Sequence, residues 1–224
     1  GSVSMWKDFP QKLSQQTGCG ALVYSRLGYG ESENCELPRP LDFMHKEGLE
    51  VLPQIIARCR IKNYILVGHS DGASISLIHA GSDSNKKLLG IVNEAPHVFC
   101  EKLTISSIQK LRVNYNSGNL RERLKKHHKD IDTTFNGWTN VWLDDEFSKW
   151  NIESFLPRIK VPQLIIQGND DEYGTIKQVE TIVRHSVGSV KTCLLDNCGH
   201  SPHRDQQSKT LQIITQFVRN LLVN

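Results

Sequence analysis

With 224 residues, 38% of them hydrophobic and 23% charged, the chain can bury one sizeable core and has the composition of an ordinary soluble globular enzyme. The net charge of +3 arises from lysines and arginines scattered among nearly as many acids. That excludes the basic face a phosphate backbone needs, and no apolar run is long enough to span a bilayer, so neither nucleic acid nor a membrane span is expected. The cysteines at 19, 35, 59, 100, 193 and 198 lie far apart and mostly within apolar segments, where free thiols act as small hydrophobes. A reducing, cytoplasmic setting is the expectation. The chain opens Gly1-Ser2-Val3-Ser4-Met5, with none of the basic-then-apolar lead of a signal peptide.

The spacing of Trp6, Phe9 and Leu13 predicts a helix from Met5 to Gln16, stopped by Gly18-Cys19-Gly20. Ala21 to Arg26 reads as a buried strand running into a tight turn at Gly28-Tyr29-Gly30. That turn lacks the third glycine opening a helix that dinucleotide binding requires. Past Pro38 and Pro40, apolar residues recur at helical intervals from Leu41 to Cys59. Next comes Tyr64-Ile65-Leu66-Val67, a strand-sized apolar run, then Gly68-His69-Ser70-Asp71-Gly72 and a proline-free stretch of small and apolar residues. The pattern predicts strand, sharp turn and helix, with Ser70 at the strained apex and flanking positions that must be glycine or very small. A helix opening beside the Ser70 hydroxyl aims its N–H groups at any anion forming there, the backbone N–H of Asp71 first among them.

The helix should end near Gly81, and Leu88 to Asn93 reads as another buried strand, ending at Glu94-Ala95-Pro96-His97. Strand, helix, strand at this interval predicts parallel pairing through right-handed crossovers. From Glu101 to Lys160 the alternation gives way to helical, charged sequence. Trp138, Trp142, Phe147 and Trp150 recur there at spacings that share a helix face, and Arg121 to Lys129 reads as a solvated face. The alternation resumes with a strand at Val161–Gln167, a helix over about 175–185, a strand at Val190–Leu195 and a last helix from Gln206 to Val223. The expected organisation is an α/β core in two parts, 1–97 and 161–224, with a helical cap inserted at 98–160.

A serine hydroxyl is a poor nucleophile until a base takes its proton, and the base needs a carboxylate to hold its tautomer. Residues at the carboxyl ends of parallel strands converge on one sheet edge. Asp171 follows the strand ending at Gln167, and His200 follows the strand ending at Leu195. Ser70, Asp171 and His200 are therefore the candidate catalytic residues. Asp170, adjacent, reads as a turn former. Cys198-x-His200-x-x-His203 could begin a metal site, but no second ligand pair of suitable spacing exists elsewhere, so no metal is expected. His69 is expected to pack against the turn, and His97 to be a structural histidine.

These motifs in this order resemble the α/β-hydrolase fold superfamily. Gly68-His69-Ser70-Asp71-Gly72 is similar to its nucleophile elbow, Gly168-Asn169-Asp170-Asp171 to its acid turn, and Gly199-His200 to its histidine turn. Arg26-Leu27-Gly28-Tyr29-Gly30-Glu31-Ser32 is similar to the loop after its fourth strand. The register of the acid turn selects Asp171 over Asp170. The resemblance implies a mostly parallel, doubly wound sheet with a helical cap, of which the first three strands, and the loop donating the second oxyanion N–H, would precede Gly1. It implies a serine hydrolase, carboxylesterase-like, acting without a cofactor on a small ester or related acyl compound through a covalent acyl-enzyme. The alternatives are a carbon–carbon bond hydrolase or lyase of the ring-fission diketone or menaquinone-pathway type, for which Arg112, Arg121 and Arg123 are candidate carboxylate ligands, or a slow-turnover ligand receptor. No feature of the sequence sets an oligomeric state.

Overall fold

A computed structural model describes residues 1–82 and 87–223. The chain divides into two compact units, one of Gly1–Leu41 with Glu101–Lys149, the other of Asp42–Cys100 with Trp150–Asn224.

The first unit is helical. Helix α1 (Phe9–Thr17) carries Pro10 in its first turn, where the missing N–H costs nothing, and ends at Gly18, whose φ of 74° supplies the left-handed cap. Ala21–Arg26, expected as a strand, forms no ladder. Leu22 is 53% exposed. The carbonyls of Ser25 and Arg26 instead accept from the Ser32 hydroxyl and the Tyr29 amide. Apolar composition favours a strand only where another strand lies alongside to complete the hydrogen bonds.

Before the rest of this unit the chain passes through α2 (Phe43–Lys46), a π-helical turn at Glu47–Val51, α3 (Leu52–Arg58), strand β1 (Tyr64–His69), α4 (Asp71–Ala80) and β2 (Leu88–Glu94), all in the second unit. The first unit then continues with α5 (Lys102–Ser117), α6 (Leu120–Lys125) and α7 (Ile131–Trp142). They close on Tyr115, Ile131 and Phe135, with Leu111, Leu120, Leu124 and Trp138 packed around them. The Tyr115 and Phe135 rings stack at 3.8 Å.

Only Trp138 and Trp142 of the four expected aromatics share a helix. The Asp144 side chain accepts the Glu146 amide and opens a separate 3-10 turn, Glu146–Lys149, carrying Phe147, and Trp150 falls in the other unit. The charged run is solvated only in part. Arg121 makes a two-pronged contact with Asp132, and Arg112 donates to Asn140, so these two candidates for binding a substrate carboxylate both have partners on α7.

His128, at the end of that run, is buried and accepts the Gly30 amide on Nδ1 at 3.0 Å. Burial above all, with the neighbouring His127, pushes its pKa down to about 4. A histidine whose folded pKa lies below its unfolded value stabilises the fold fully above the unfolded pKa, and that stability drains away as pH falls toward the folded value. Melting curves recorded from about pH 7 to pH 4 are expected to show a steeper acid loss in the wild type than in His128→Asn, by about 2 kcal/mol across the window.

The second unit holds the sheet, completed by β3 (Gln163–Gly168) and β4 (Val190–Leu195) with α8 (Ile176–His185) between them, then α9 (Pro202–Asp205) and α10 (Gln207–Val223). Among the described residues all four strands are parallel, in the order β1-β2-β3-β4. β2 and β3 are buried almost throughout, which is why their sequences run apolar without alternation. Ile91, Val92, Leu164, Ile165 and Ile166 form the core with Leu77 and Ile78 of α4, Ile182 of α8 and Ile214 of α10. Parallel pairing brings the carboxyl ends of all four strands to one edge. Glu94 closes β2 at that edge, and the loops that leave it carry Ser70, Ala95 to His97, Asp171 and His200.

Candidate active site

Between β1 and α4 the chain reverses so sharply that Ser70 is held at φ 55°, ψ −123°, a conformation that costs an L-residue roughly 1–3 kcal/mol. The turn is held by the Ser70 amide donating to the Glu94 carbonyl at 2.9 Å, and by the Ser70 carbonyl accepting the amides of Ala73 and Ser74. A Cβ on Gly68 would overlap the backbone of Gly72, whereas one on Gly72 would meet open space. The expectation that both flanks must be small therefore holds for Gly68 alone, because it is the Gly72 backbone that crosses over Gly68. Asp71 opens α4, placing its amide in the first turn of a ten-residue helix.

The His200 imidazole stands over this turn with Nε2 2.9 Å from Ser70 Oγ. Its Nδ1 lies 2.9 Å from Asp171 Oδ1 and 3.0 Å from Oδ2. A carboxylate can only accept, so Nδ1 carries the proton and Nε2 is left to accept from the hydroxyl. The three side chains predicted from sequence thus meet in one hydrogen-bonded line. The Asp171 side chain is 1% exposed, while Asp170 is on the surface.

Asp171 Oδ1 also accepts the amides of Tyr173 at 2.8 Å and Gly174 at 3.2 Å, and Oδ2 accepts Gln167 Nε2 at 2.6 Å. Burial pushes this carboxyl up, but the hydrogen bond and charge of His200 and the Tyr173 amide outweigh it and hold the group below its ordinary value. Gln167 was not singled out in the sequence. Its signal was a polar residue at the end of an otherwise apolar strand, which is costly unless it has a partner.

The loop carrying His200 lies tightly against β3. A Cβ at Gly168 would overlap the carbonyl oxygens of Cys198 and Gly199, and the Asp170 amide donates to the Cys198 carbonyl at 2.9 Å. The amide of His200 donates to Glu172 Oε2. The Tyr173 ring stands 4.7 Å from the His200 ring and that of His97 5.6 Å. The His97 backbone is anchored to the Ser74 hydroxyl through both amide and carbonyl. His69, expected only to pack, donates from Nε2 to the His200 carbonyl at 2.6 Å.

The Cys198, His200 and His203 side chains serve separate ends. Burial, with the acids nearby, pushes the Cys198 thiol up to about 11, the His200 nitrogens face Asp171 and Ser70, and His203 Nδ1 lies 2.9 Å from Glu94 Oε2. Among the described residues, no helix is long and apolar enough to cross a membrane.

A segment of 76 residues is 29% identical to human monoacylglycerol lipase ABHD6, covering 34% of this chain and 22% of that protein. The match thus spans about a fifth of the curated relative's length. Over the whole chain the likeness is one of fold. The 2-hydroxy-6-oxo-6-phenylhexa-2,4-dienoate hydrolase of Rhodococcus sp. strain RHA1 superposes with a TM-score of 0.75 at 14% identity, covering 98% of this chain and 86% of that one. Proline iminopeptidase of Mycobacterium smegmatis gives 0.74 at 15%, covering 96% and 85%. Residues 1–212 match the sequence profile of the alpha/beta hydrolase family. With nearly its whole length matched to that profile and a parallel sheet whose carboxyl edge carries the serine turn, the chain belongs to the alpha/beta hydrolase family.

Proposed function

We propose that the protein is a serine hydrolase that cleaves a small ester or related acyl substrate through a covalent acyl-enzyme. The single observation that supports this most is the line of contacts from Ser70 Oγ to His200 Nε2 at 2.9 Å and from His200 Nδ1 to Asp171. In this reading Ser70 Oγ attacks the substrate carbonyl while its proton passes to His200 Nε2. Asp171 accepts from Nδ1–H, stabilising the imidazolium as it forms. The Asp71 amide at the start of α4 donates to the tetrahedral oxyanion. His200 then returns the proton to the departing alcohol, and the acyl group stays on Ser70. Water next attacks that ester, His200 again taking and returning one proton, and the acid leaves.

The match to monoacylglycerol lipase favours an ester over an amide, and the low-lying carboxyl of Asp171 suits a group that must stay ionised beside an imidazolium. The test pairs a fluorophosphonate probe with p-nitrophenyl esters of graded chain length, applied to the folded protein. Stoichiometric labelling at Ser70 with turnover of the short esters is expected. Absence of labelling, or labelling that persists in Ser70→Ala, would overturn the nucleophile assignment. Rapid labelling without ester turnover would keep the nucleophile and reject the ester.

A further inference from the structure

Behind the line of Ser70, His200 and Asp171 lies a second buried acid that the mechanism does not use. Glu94 ends β2 fully buried, in register with His69 of β1. Its Oε2 accepts two hydrogen bonds from one residue, the His203 amide at 2.8 Å and His203 Nδ1–H at 2.9 Å. Its main-chain carbonyl accepts the Ser70 amide at 2.9 Å. The neighbouring strand end contributes the bond from His69 to the His200 carbonyl, and the His69 ring stands 4.9 Å from that of His203 and 5.0 Å from that of His200. Burial above all, with the two neighbouring imidazoles, holds His69 well below its ordinary pKa, so it faces His200 uncharged.

From this arrangement we propose that Glu94 is a positioning residue, which sets the reach of His200 to Ser70 by holding the serine turn with its main chain and the histidine loop with its side chain. The inference rests on the hydrolase reading and deepens it.

A carboxylate taken out of water costs several kcal/mol unless its bonds replace hydration; Glu94 Oε1 is buried without a hydrogen-bond partner among the described residues, and both bonds that Oε2 accepts come from the segment just past the candidate base. Besides its bonds to Asp170 and Glu172, the segment from Asp196 to His203 is tied to the ends of two strands. The His200 carbonyl is fixed to the end of β1, and residue 203 to the end of β2, the same pair of strands that carries the elbow. Both partners of the Ser70–His200 bond are thus referred to one residue, Glu94. Releasing the residue 203 tether loosens the segment on the far side of His200, while the bonds to His69 and Glu172 remain, and a misplacement of about 1 Å in a reacting pair can cost on the order of a hundredfold in rate.

The test compares Glu94→Leu with Glu94→Gln. The glutamine carbonyl can still accept both bonds from His203, whereas leucine fills the space and accepts neither. For the esters above, Glu94→Leu is expected to lower kcat about 10- to 100-fold with KM within about twofold, and Glu94→Gln to stay within about threefold of wild type. The readout that a purely structural role would not move is the low-field proton resonance of His200 Nδ1–H, assigned by its loss in His200→Gln. It should broaden and move upfield in Glu94→Leu and persist in Glu94→Gln.

Wild-type kcat and an unmoved resonance in folded Glu94→Leu would overturn the proposal. So would equal loss in both variants, which would make the negative charge itself the operative property. If Glu94→Leu does not fold, His203→Leu, which removes the Nδ1–H bond and keeps the amide bond, takes its place, with an intermediate loss expected and an unmoved resonance and rate again decisive against the idea. The hydrolase reading fails separately, through absence of Ser70 labelling in the wild type, and the resonance still reports on the loop in that event.

Discussion

Ser70→Ala is expected to abolish fluorophosphonate labelling and to lower ester turnover on the order of 10⁶-fold, leaving the fold intact. The size of the effect follows from what the hydroxyl does in the proposed mechanism. Without Oγ there is no covalent step, and what remains is the modest acceleration from binding and from the oxyanion donors. The fold should tolerate the change because alanine keeps the Cβ that already sits at φ 55°, so the backbone strain is neither relieved nor increased. The contact the structure assigns to Oγ is the one to His200 Nε2, which is close to solvent and can be replaced by water. Unchanged circular dichroism and melting midpoint, together with the lost activity, are the expected results. Retained turnover in this variant would reject Ser70 as the nucleophile.

Asp171→Asn carries the second-largest expected effect, a loss of about 10⁴-fold in kcat with the structure preserved. The surroundings of the carboxyl dictate which way the amide must lie. Oδ1 accepts two backbone N–H groups, from Tyr173 and Gly174, so an asparagine would place its carbonyl oxygen there. Its NH₂ would then face Gln167 Nε2, which donates to Oδ2 in the wild type, and the His200 ring. Two donors would oppose each other at Gln167. Nδ1 of His200 would be driven to accept, moving the ring proton to Nε2, where it points at the serine oxygen and cannot receive the serine proton. Steady-state kinetics with a fluorophosphonate labelling rate measure the loss. A variant that labels as fast as wild type would remove Asp171 from the mechanism and call for another acid.

Much of this site could be read before any coordinates. Gly68-x-Ser70-x-Gly72 after an apolar run required a strand, a reversal and a helix. Asp171 and His200 each followed a strand-sized apolar run, and parallel strands bring such positions to one edge. Gln167, Glu94 and the bond from His69 to the His200 carbonyl were not legible, because each depends on partners roughly 4 to 131 residues away in sequence whose side chains meet only when the sheet is assembled. His203 was visible as a histidine near His200, but its spacing with Cys198 raised only a metal reading, set aside for want of a second ligand pair. Its actual partner is an acid that reads, in sequence, as the last residue of an apolar strand.

Ala21–Arg26 shows the opposite failure. Local composition proposed a strand, but pairing belongs to neighbours and not to the segment itself. The same limit applies to the aromatics of 138–150, whose helical spacing was interrupted by the Asp144 turn, and to Arg121, which binds Asp132 instead of standing free.

The sequence by itself determined the alternation of strands and helices from Tyr64 to Glu94 and from Gln163 onward, the strained serine turn and, with the resemblance selecting Asp171, which acid and histidine could serve it, because these follow from local sterics, periodicity and the chemistry a hydroxyl needs. Only the tertiary structure decided the distances among Ser70, His200 and Asp171, the tautomer of His200 and the second layer built on Glu94. Those depend on how four parallel strands align their carboxyl ends, and register is set by packing across the whole sheet rather than by any one segment.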